Sequence, residues 1–402
     1  MPTKRILQRV LTATSWLVIA GAAAIGLARY AEPTSVSTVG VTAISPWSLL
    51  PAAAAVAGLA ALRGWRPALL GGLVVALIGW PQVANYLPAQ HFGAAPIITV
   101  MTANTLHGTA DPGALVASVR AHEVDVLAAQ ELTLDSIRRL TEAGLDQALP
   151  YHVIAYQDGG TDVGIWSRHP LIEPQQLTGF AFAPVQASIV VGPGQLTVVA
   201  FHCKAPVSND GVELWQSDLD RLAKVMTHPA TRTIVAGDFN ATRDHRQFRD
   251  LLDTGYTDAG SDAGAGMLPT YPADRRWGPI IGIDHVLVSA GLVGVGGDRR
   301  RPARVRPPRS CRTGRTGRTG RTEELTGGYS GMISECVSRR CVSPRKKAGH
   351  SHLPDAHEHQ PDPDHPETEH QHGPDPDDAG PGTVRTRAVP DGPEEDQPES
   401  WR

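Results

Sequence analysis

Thr233-Ile234-Val235-Ala236-Gly237-Asp238-Phe239-Asn240 is the stretch on which the reading of this chain turns. Its first four residues form a short apolar run rich in β-branched side chains, which predicts a buried strand. Gly237 closes the run, and Asp238 and Asn240 stand two residues apart in the loop that follows. At that spacing both side chains can point the same way and hold a water, a phosphate oxygen or a metal-bound oxygen. The same spacing also suits an Asx-type turn that does no more than end a strand. The neighbouring segments have to decide.

Working outward, the same pattern recurs. Strands are expected over 97–103, 124–129, 196–201 and 281–288, with a strand pair over 151–156 and 163–167 around an Asp-Gly-Gly turn. Helical spacing covers 111–122, 134–149, 213–226 and 244–252. Strands alternating with helices indicate a layered α/β or α+β domain. Polar residues gather at the strand ends: Asn104, Glu131, His202, Asp238 with Asn240, and Asp284. One such residue is usually a turn former. Five such strand ends in one domain are better explained by a single shared site at the sheet edge.

The flanks have a different character. Apolar runs over 10–28, 41–62 and 68–87 approach the ~20 residues that a bilayer needs. A cleaved signal peptide is the alternative for the first, but two further runs and the lack of a clear cleavage site favour three transmembrane helices. Lys4, Arg5 and Arg9 precede the first run, and Arg63 and Arg66 separate the second from the third. Arg29, offset by Glu32, is the lone cation after the first. The positive-inside rule then leaves the N-terminus cytoplasmic and the globular domain extracytoplasmic. Trp47, Trp65, Trp80 and Tyr86 suit the membrane interface.

The expected domains are a membrane region over 1–90, a globular domain over 96–290 and a disordered low-complexity tail over 291–402. A net charge of −4 argues neither for nor against a nucleic-acid partner. Of four cysteines only Cys203 is in the globular part, and no disulfide framework or zinc spacing emerges.

The order of motifs resembles the endonuclease/exonuclease/phosphatase family, which includes deoxyribonuclease I. The matching segments are Thr102-Ala103-Asn104-Thr105-Leu106, Gln130-Glu131-Leu132 and Gly164-Ile165-Trp166-Ser167-Arg168-His169-Pro170. They continue with Phe201-His202-Cys203-Lys204-Ala205-Pro206, Gly237-Asp238-Phe239-Asn240 and Ile283-Asp284-His285-Val286. The resemblance implies an α+β, four-layer α/β/β/α sandwich and a phosphodiesterase or phosphatase that uses Mg²⁺ or Mn²⁺. Glu131 would be the principal metal ligand, with Asn104 positioning the metal or a phosphate oxygen. Asp238 would orient or deprotonate the attacking water, and Asn240 would hold a phosphate oxygen. His202 would donate to the phosphate or act as an acid, and Asp284 would orient a histidine or act through the metal. Arg168 is expected to make a structural contact and Cys203 to be a core thiol. The family takes only the Asp from the strand of Asp284, which leaves His285 outside the chemistry.

The family's catalytic histidine lies in a later Ser-Asp-His motif that leads into a final strand, and this chain has no Ser-Asp-His. After Val293 arginine, proline and glycine take over, including the Arg-Thr-Gly repeat of 312–322. The final strand is therefore expected to be missing, which would expose a sheet edge. A shifted reading frame would account for the change. The codons TCC GAC CAC CGC for Ser-Asp-His-Arg, read from a preceding G, give Val-Arg-Pro-Pro, the string at 305–308. The competing reading is a genuine tail, with a basic start for anionic lipid and histidines for Zn²⁺, Cu²⁺ or Ni²⁺ but no fixed ligand spacing.

The functional expectation is a membrane-anchored, metal-dependent phosphoester hydrolase with impaired activity. The alternative is a catalytically silent membrane protein that binds a phosphorylated ligand or partner. Expected partners are a phosphoester substrate (nucleic acid, phospholipid head group or small phosphate ester) and membrane lipid, with no stable protein partner.

Overall fold

Uninterrupted apolar sequence makes the N-terminal region helical. A computed structural model of the chain describes residues 2–306, apart from 63, 90–96, 156–161, 193, 228–230, 274 and 299–300. It opens with α1 (Pro2–Ala28), α2 (Val36–Ala43), α3 (Leu49–Ala61) and α4 (Trp65–Val83). Short 3-10 turns cover Ser45–Ser48 and Ala84–Tyr86. Among the described residues, Thr3–Ala28 and Trp65–Tyr86 are long and apolar enough to cross a membrane. The middle run is broken. Its two halves, Val36–Ala43 and Ser45–Ala61, meet at 60° and make a third span only if taken together. Pro46 starts the new turn, where its missing N–H does least harm. At Gly71 α4 crosses α1 and α3 so closely that a Cβ would fall 2.9 Å from Ile19 Cδ1.

The second part follows as β1 (Ile98–Asn104), α5 (Pro112–Ala121), β2 (Val126–Leu132), α6 (Leu134–Glu142), α7 (Leu145–Ala148), β3 (Tyr151–Ala155), β4 (Asp162–Ser167), β5 (Ile172–Gln176) and β6 (Val185–Val191). It continues with β7 (Gly194–His202), α8 (Asn209–Met226), β8 (Arg232–Asp238), α9 (Arg246–Asp253), β9 (Tyr256–Asp258), α10 (Ala259–Asp262), β10 (Asp284–Ser289), β11 (Val293–Asp298) and β12 (Arg301–Arg306). One sheet has the order β11-β12-β1-β2-β4-β3 and the other β5-β6-β7-β8-β10-β9. The parallel pairs β1–β2 and β7–β8 are joined over helices α5 and α8, as a parallel connection requires.

Side-chain alternation stacks the layers. Val100, Val126 and Ile165 of the first sheet meet Val198, Ile234 and Val286 of the second in a core between the sheets. The opposite face of the first sheet packs Leu127 and Trp166 against Leu115 and Leu140 of the helices. On the second sheet Phe201 and Val235 pack against Trp215, Leu219 and Phe248. Helix, sheet, sheet and helix give the four-layer α/β/β/α sandwich.

Local differences from the sequence reading have physical causes. The single helix expected over 134–149 divides at Gly144, whose φ of 95° breaks the helical path into α6 and α7. β5 is exposed throughout, so no apolar face marks it, whereas in β6 buried Val185, Ala187 and Ile189 alternate with Gln186 and Ser188, a period-2 signal that the sequence reading above does not use. The Asp-Gly-Gly turn lies outside the described residues, although β3 and β4 pair antiparallel on either side of it.

The domain, expected to end at 290 with its final strand missing, extends further in the structure. β11 and β12 continue the first sheet past that point, and β12 pairs antiparallel with β1, Val305 opposite Ile98 and Ala303 opposite Val100. Ladder hydrogen bonds belong to the backbone, so an Arg-rich segment can fill the position without the apolar alternation that a sequence reading looks for. The rest of the tail expected over 291–402 lies, beyond 306, outside the described residues.

Candidate active site

Alternation also decides which side chains reach the strand ends between the sheets. On β7, Val198 and Ala200 point into the inter-sheet core, so His202 follows on that face. Cys203 belongs to the outer face, where its Sγ donates to the Phe239 carbonyl at 2.8 Å. On β8, Ile234 and Ala236 set Asp238 inward, and on β10, Val286 and Val288 do the same for Asp284. Strand register places His202 beside Asp238 and Asp238 beside Asp284. Gly237 permits this pairing, since a Cβ there would collide with the Phe201 carbonyl oxygen.

Glu131 reaches the site against the alternation. Val126 and Ala128 face the inter-sheet core while Leu127 and Ala129 face the helices, so a regular strand would send Gln130 inward and Glu131 outward. The register of β2 on β4 is interrupted between Ala129 and Leu132, and Glu131 takes a φ of 56°. The bulge swings its carboxylate back inward. There it accepts from Asn104 Nδ2 at 2.9 Å and from the His107 backbone N–H at 2.8 Å. Left-handed backbone at a non-glycine residue costs of order 1–3 kcal/mol and is held only where the surroundings over-determine it.

Asn104 is the bridge of the cluster. Its Nδ2 also donates to Asp238 Oδ2 at 3.0 Å, linking the two sheets. Asp238 Oδ1 accepts from the Asn240 backbone N–H at 2.8 Å. The Asx turn is thus present, and the second oxygen of the same carboxylate is turned to the site. Asn240, at φ 47°, donates from Nδ2 to the Cys203 carbonyl at 3.1 Å, which ties the loop to the end of β7. His202 lies on Phe182 with ring centres 4.6 Å apart, and its Nε2 is 3.8 Å from Glu131 Oε1.

Burial dominates the electrostatics. It pushes the Asp238 carboxyl up, against the pull of His202, Asn240 and Asn104. Burial, reinforced by Asp238, pushes Asp284 well above the usual carboxylate range. It pushes His202 down, so the imidazole is neutral near pH 7. Asp284 Oδ1 and His202 Nδ1 are buried with no hydrogen-bond partner among the described residues.

Asn104, Glu131, His202, Asp238, Asn240 and Asp284 are therefore gathered at one sheet edge. Their donors are mainly oxygens, with an unpartnered buried carboxylate oxygen among them, which fits a hard divalent cation. Among the described residues no three His, Cys, Asp or Glu side chains form a ready metal cage. One carboxylate with an amide, waters and substrate oxygens is enough for Mg²⁺.

The structure adds residues that sequence reasoning passed over. Thr270 Oγ1 accepts from the backbone N–H of Ile283 at 3.0 Å and of Asp284 at 3.3 Å. It lies in a segment without periodicity, so no local signal marks it. His107 Nε2 stands 3.5 Å from Glu131 Oε2, and its place three residues after Asn104 could have raised it. Two residues stand apart from the site. His285 Nδ1 pairs with Asp258 Oδ2 at 2.7 Å and Nε2 with the Ala241 carbonyl at 2.9 Å, on the outer face of β10. Arg168 Nε pairs with Asp125 Oδ1 at 3.1 Å and Nη2 donates to the Val124 carbonyl at 2.9 Å.

The Endonuclease/Exonuclease/phosphatase family profile matches residues 101–322, more than half of the chain. The chain belongs to the endonuclease/exonuclease/phosphatase family. This family member is similar to an endonuclease/exonuclease/phosphatase family protein from Leptotrichia buccalis at 15% identity, covering 49% of this chain and 89% of that one, with a TM-score of 0.38. It is similar to an AP endonuclease from Archaeoglobus fulgidus at 14% identity, 52% and 97% coverage and a TM-score of 0.41. A 3′ phosphatase from Neisseria, bound to a product DNA hairpin, aligns at 19% identity, 52% and 98% coverage and a TM-score of 0.39. No curated protein sequence matches the chain.

Proposed function

We propose that this family member is a membrane-anchored phosphoester hydrolase dependent on Mg²⁺ or Mn²⁺, with activity impaired by the missing Ser-Asp-His motif. The observation that supports it is the bonded group Glu131–Asn104–Asp238, which joins the two sheets with His202 and Asp284 beside it. A bound divalent ion would supply stabilisation of charge on the phosphoryl oxygens, and Glu131 with Asn104 would hold it. A carboxylate made more basic by burial, as Asp238 is, can take a proton from an attacking water near neutral pH. Neutral His202 donates one N–H to a phosphoryl oxygen. Asn240 presents its remaining amide hydrogen, the other being held by the Cys203 carbonyl. The apolar helices 3–28 and 65–86, with the bent third, anchor the domain, N-terminus inside and hydrolase outside.

The test is hydrolysis of phosphodiesters and monoesters with Mg²⁺ or Mn²⁺. Glu131→Ala and Asp238→Ala are each expected to abolish whatever activity the chain has. Hydrolysis that survives both changes refutes the site. Protease added to intact cells is expected to cut the globular domain, and its full protection refutes the orientation. A second reading, a silent binder of a phosphorylated ligand, is favoured by the missing Ser-Asp-His motif. Divalent-dependent ligand binding without turnover would select it.

A further inference from the structure

Leu106, His107 and Gly108, in the loop after Asn104, take φ of 51°, 50° and 71°, three left-handed residues in a row. Glu131, at the end of the neighbouring strand β2, is left-handed as well. Each non-glycine residue in that region costs of order 1–3 kcal/mol and persists only where its surroundings over-determine it.

The two segments hold one another in place. The Thr105 N–H donates to the Gln130 carbonyl at 2.9 Å, and Thr105 Oγ1 donates to the Glu131 carbonyl at 2.8 Å. The Leu106 N–H donates to Asn104 Oδ1 at 2.9 Å, and the His107 N–H donates to Glu131 Oε2 at 2.8 Å. Thr109 Oγ1 donates to the Leu106 carbonyl at 2.7 Å, and Arg139 Nη2 donates to that of Gly108. Both side chains assigned to the metal, Asn104 and Glu131, therefore shape the backbone that carries His107.

That backbone aims the imidazole at the carboxylate. His107 Nε2 stands 3.5 Å from Glu131 Oε2, with the His107 side chain 73% exposed and that of Glu131 15%. An exposed ion pair is worth about 0–1 kcal/mol, too little to account for strain at both Leu106 and His107. A shared ion accounts for it better. Two donors bound to one ion at ~2.0–2.2 Å stand roughly 3–3.5 Å apart at tetrahedral or octahedral angles. Oε2 gives one lone pair to the His107 N–H and keeps another. A carboxylate and one imidazole fall short of a full cage, and waters complete such a set. Imidazole nitrogen suits first-row transition ions, whereas Mg²⁺ is held by oxygen.

We propose that His107 is a nitrogen ligand of the divalent ion held at Glu131 and Asn104, so the cofactor class is a first-row transition dication, Mn²⁺ in preference to Mg²⁺. The inference rests on the metal-dependent phosphoesterase reading above. The test is Mn²⁺ binding to the full chain in detergent micelles, followed by electron spin-echo envelope modulation. Modulation from a coordinated nitrogen is expected in the parent. Heavy-nitrogen labelling of its histidines is expected to shift the modulation frequency, a check that needs no substitution. His107→Asn keeps the loop, because Asn tolerates left-handed backbone, and its thermal transition without metal is expected to match that of the parent. The variant is expected to lose the nitrogen modulation. Its preference for Mn²⁺ over Mg²⁺, read by competition, is expected to fall by about tenfold or more. A parent without nitrogen modulation, or modulation unchanged in His107→Asn, overturns the proposal. Glu131-dependent phosphoester hydrolysis alongside that result leaves the phosphoesterase reading standing. Modulation lost in His107→Asn, with no Glu131-dependent hydrolysis of any phosphoester, refutes the phosphoesterase reading and leaves the metal ligand in place.

Discussion

Replacing Arg29 by Met tests whether the helices and the domain form one structure. Arg29 follows α1, and its side chain is 9% exposed; Asp244, six residues after Asp238, is 5% exposed. The two lie 3.4 Å apart from Nη1 to Oδ1. Burial already pushes the Asp244 carboxyl up, with Arg29 the strongest influence holding it down. Removing one partner of a buried pair costs roughly 3–5 kcal/mol. The lower end applies, because Gln82 still donates to Asp244 at 2.8 Å and Arg249 still donates to the Asp244 carbonyl at 2.7 Å. A loss of about 3 kcal/mol in a domain of this size corresponds to about 6–12 °C in midpoint. The assay is thermal unfolding of the full chain in detergent micelles, followed by tryptophan fluorescence. The double variant Arg29→Met with Asp244→Asn removes both charges and is expected to recover most of the loss, because the penalty lies in the stranded carboxylate. A shift below about 2 °C for Arg29→Met, or a double variant as unstable as the single, refutes the reasoning.

Three further outcomes are expected. Burial holds His245 at about 4, below its ordinary 6.5, so between those values the unfolded chain binds the extra proton and stability falls as pH drops. That group contributes at most about 3 kcal/mol, and urea midpoints at pH 7 and 4.5 should converge in His245→Gln. His285→Ala takes the partner of Oδ2 from Asp258, a buried carboxyl held at about 2 because the His285 bond and Arg243 outweigh burial; Arg243 and the Gly260 and Ser261 N–H groups remain, so it is expected to cost about 3 kcal/mol while leaving Mn²⁺-induced stabilisation intact. Loss of that Mn²⁺ effect would move His285 into the site. The nucleotide sequence across codons 285–310, read in all frames, is expected to spell Ser-Asp-His and an alternating strand in a shifted frame. If no frame does so, the silent-binder reading gains.

What the sequence made legible follows from where periodicity and chemistry coincide. β7 and β8 are apolar strands that end in His202 and Asp238, so both the element and the site residue could be read directly. Glu131 was legible only through its motif, because the bulge that turns its carboxylate inward leaves no trace in an alternation count. Thr270 serves the site through its hydroxyl from an irregular segment, and Phe182 through stacking across the sheet. Neither contact has a local pattern. β12 was missed for the opposite reason: its residues lack strand patterning, and its pairing with β1 is carried by the backbone.

The placement of β12 beside β1 separates two fates that usually coincide. A chain that forfeits its last catalytic motif would ordinarily leave β1 as a bare template for intermolecular pairing. Here β12 takes that ladder and the new rim is β11, whose register shifts twice along its partner and so offers a poor surface for another chain. Loss of a sequence motif at this end of the domain thus need not turn the protein into a seed for aggregation. Such a product can persist long enough for the loop of Asp238 and Asn240 to be put to another use.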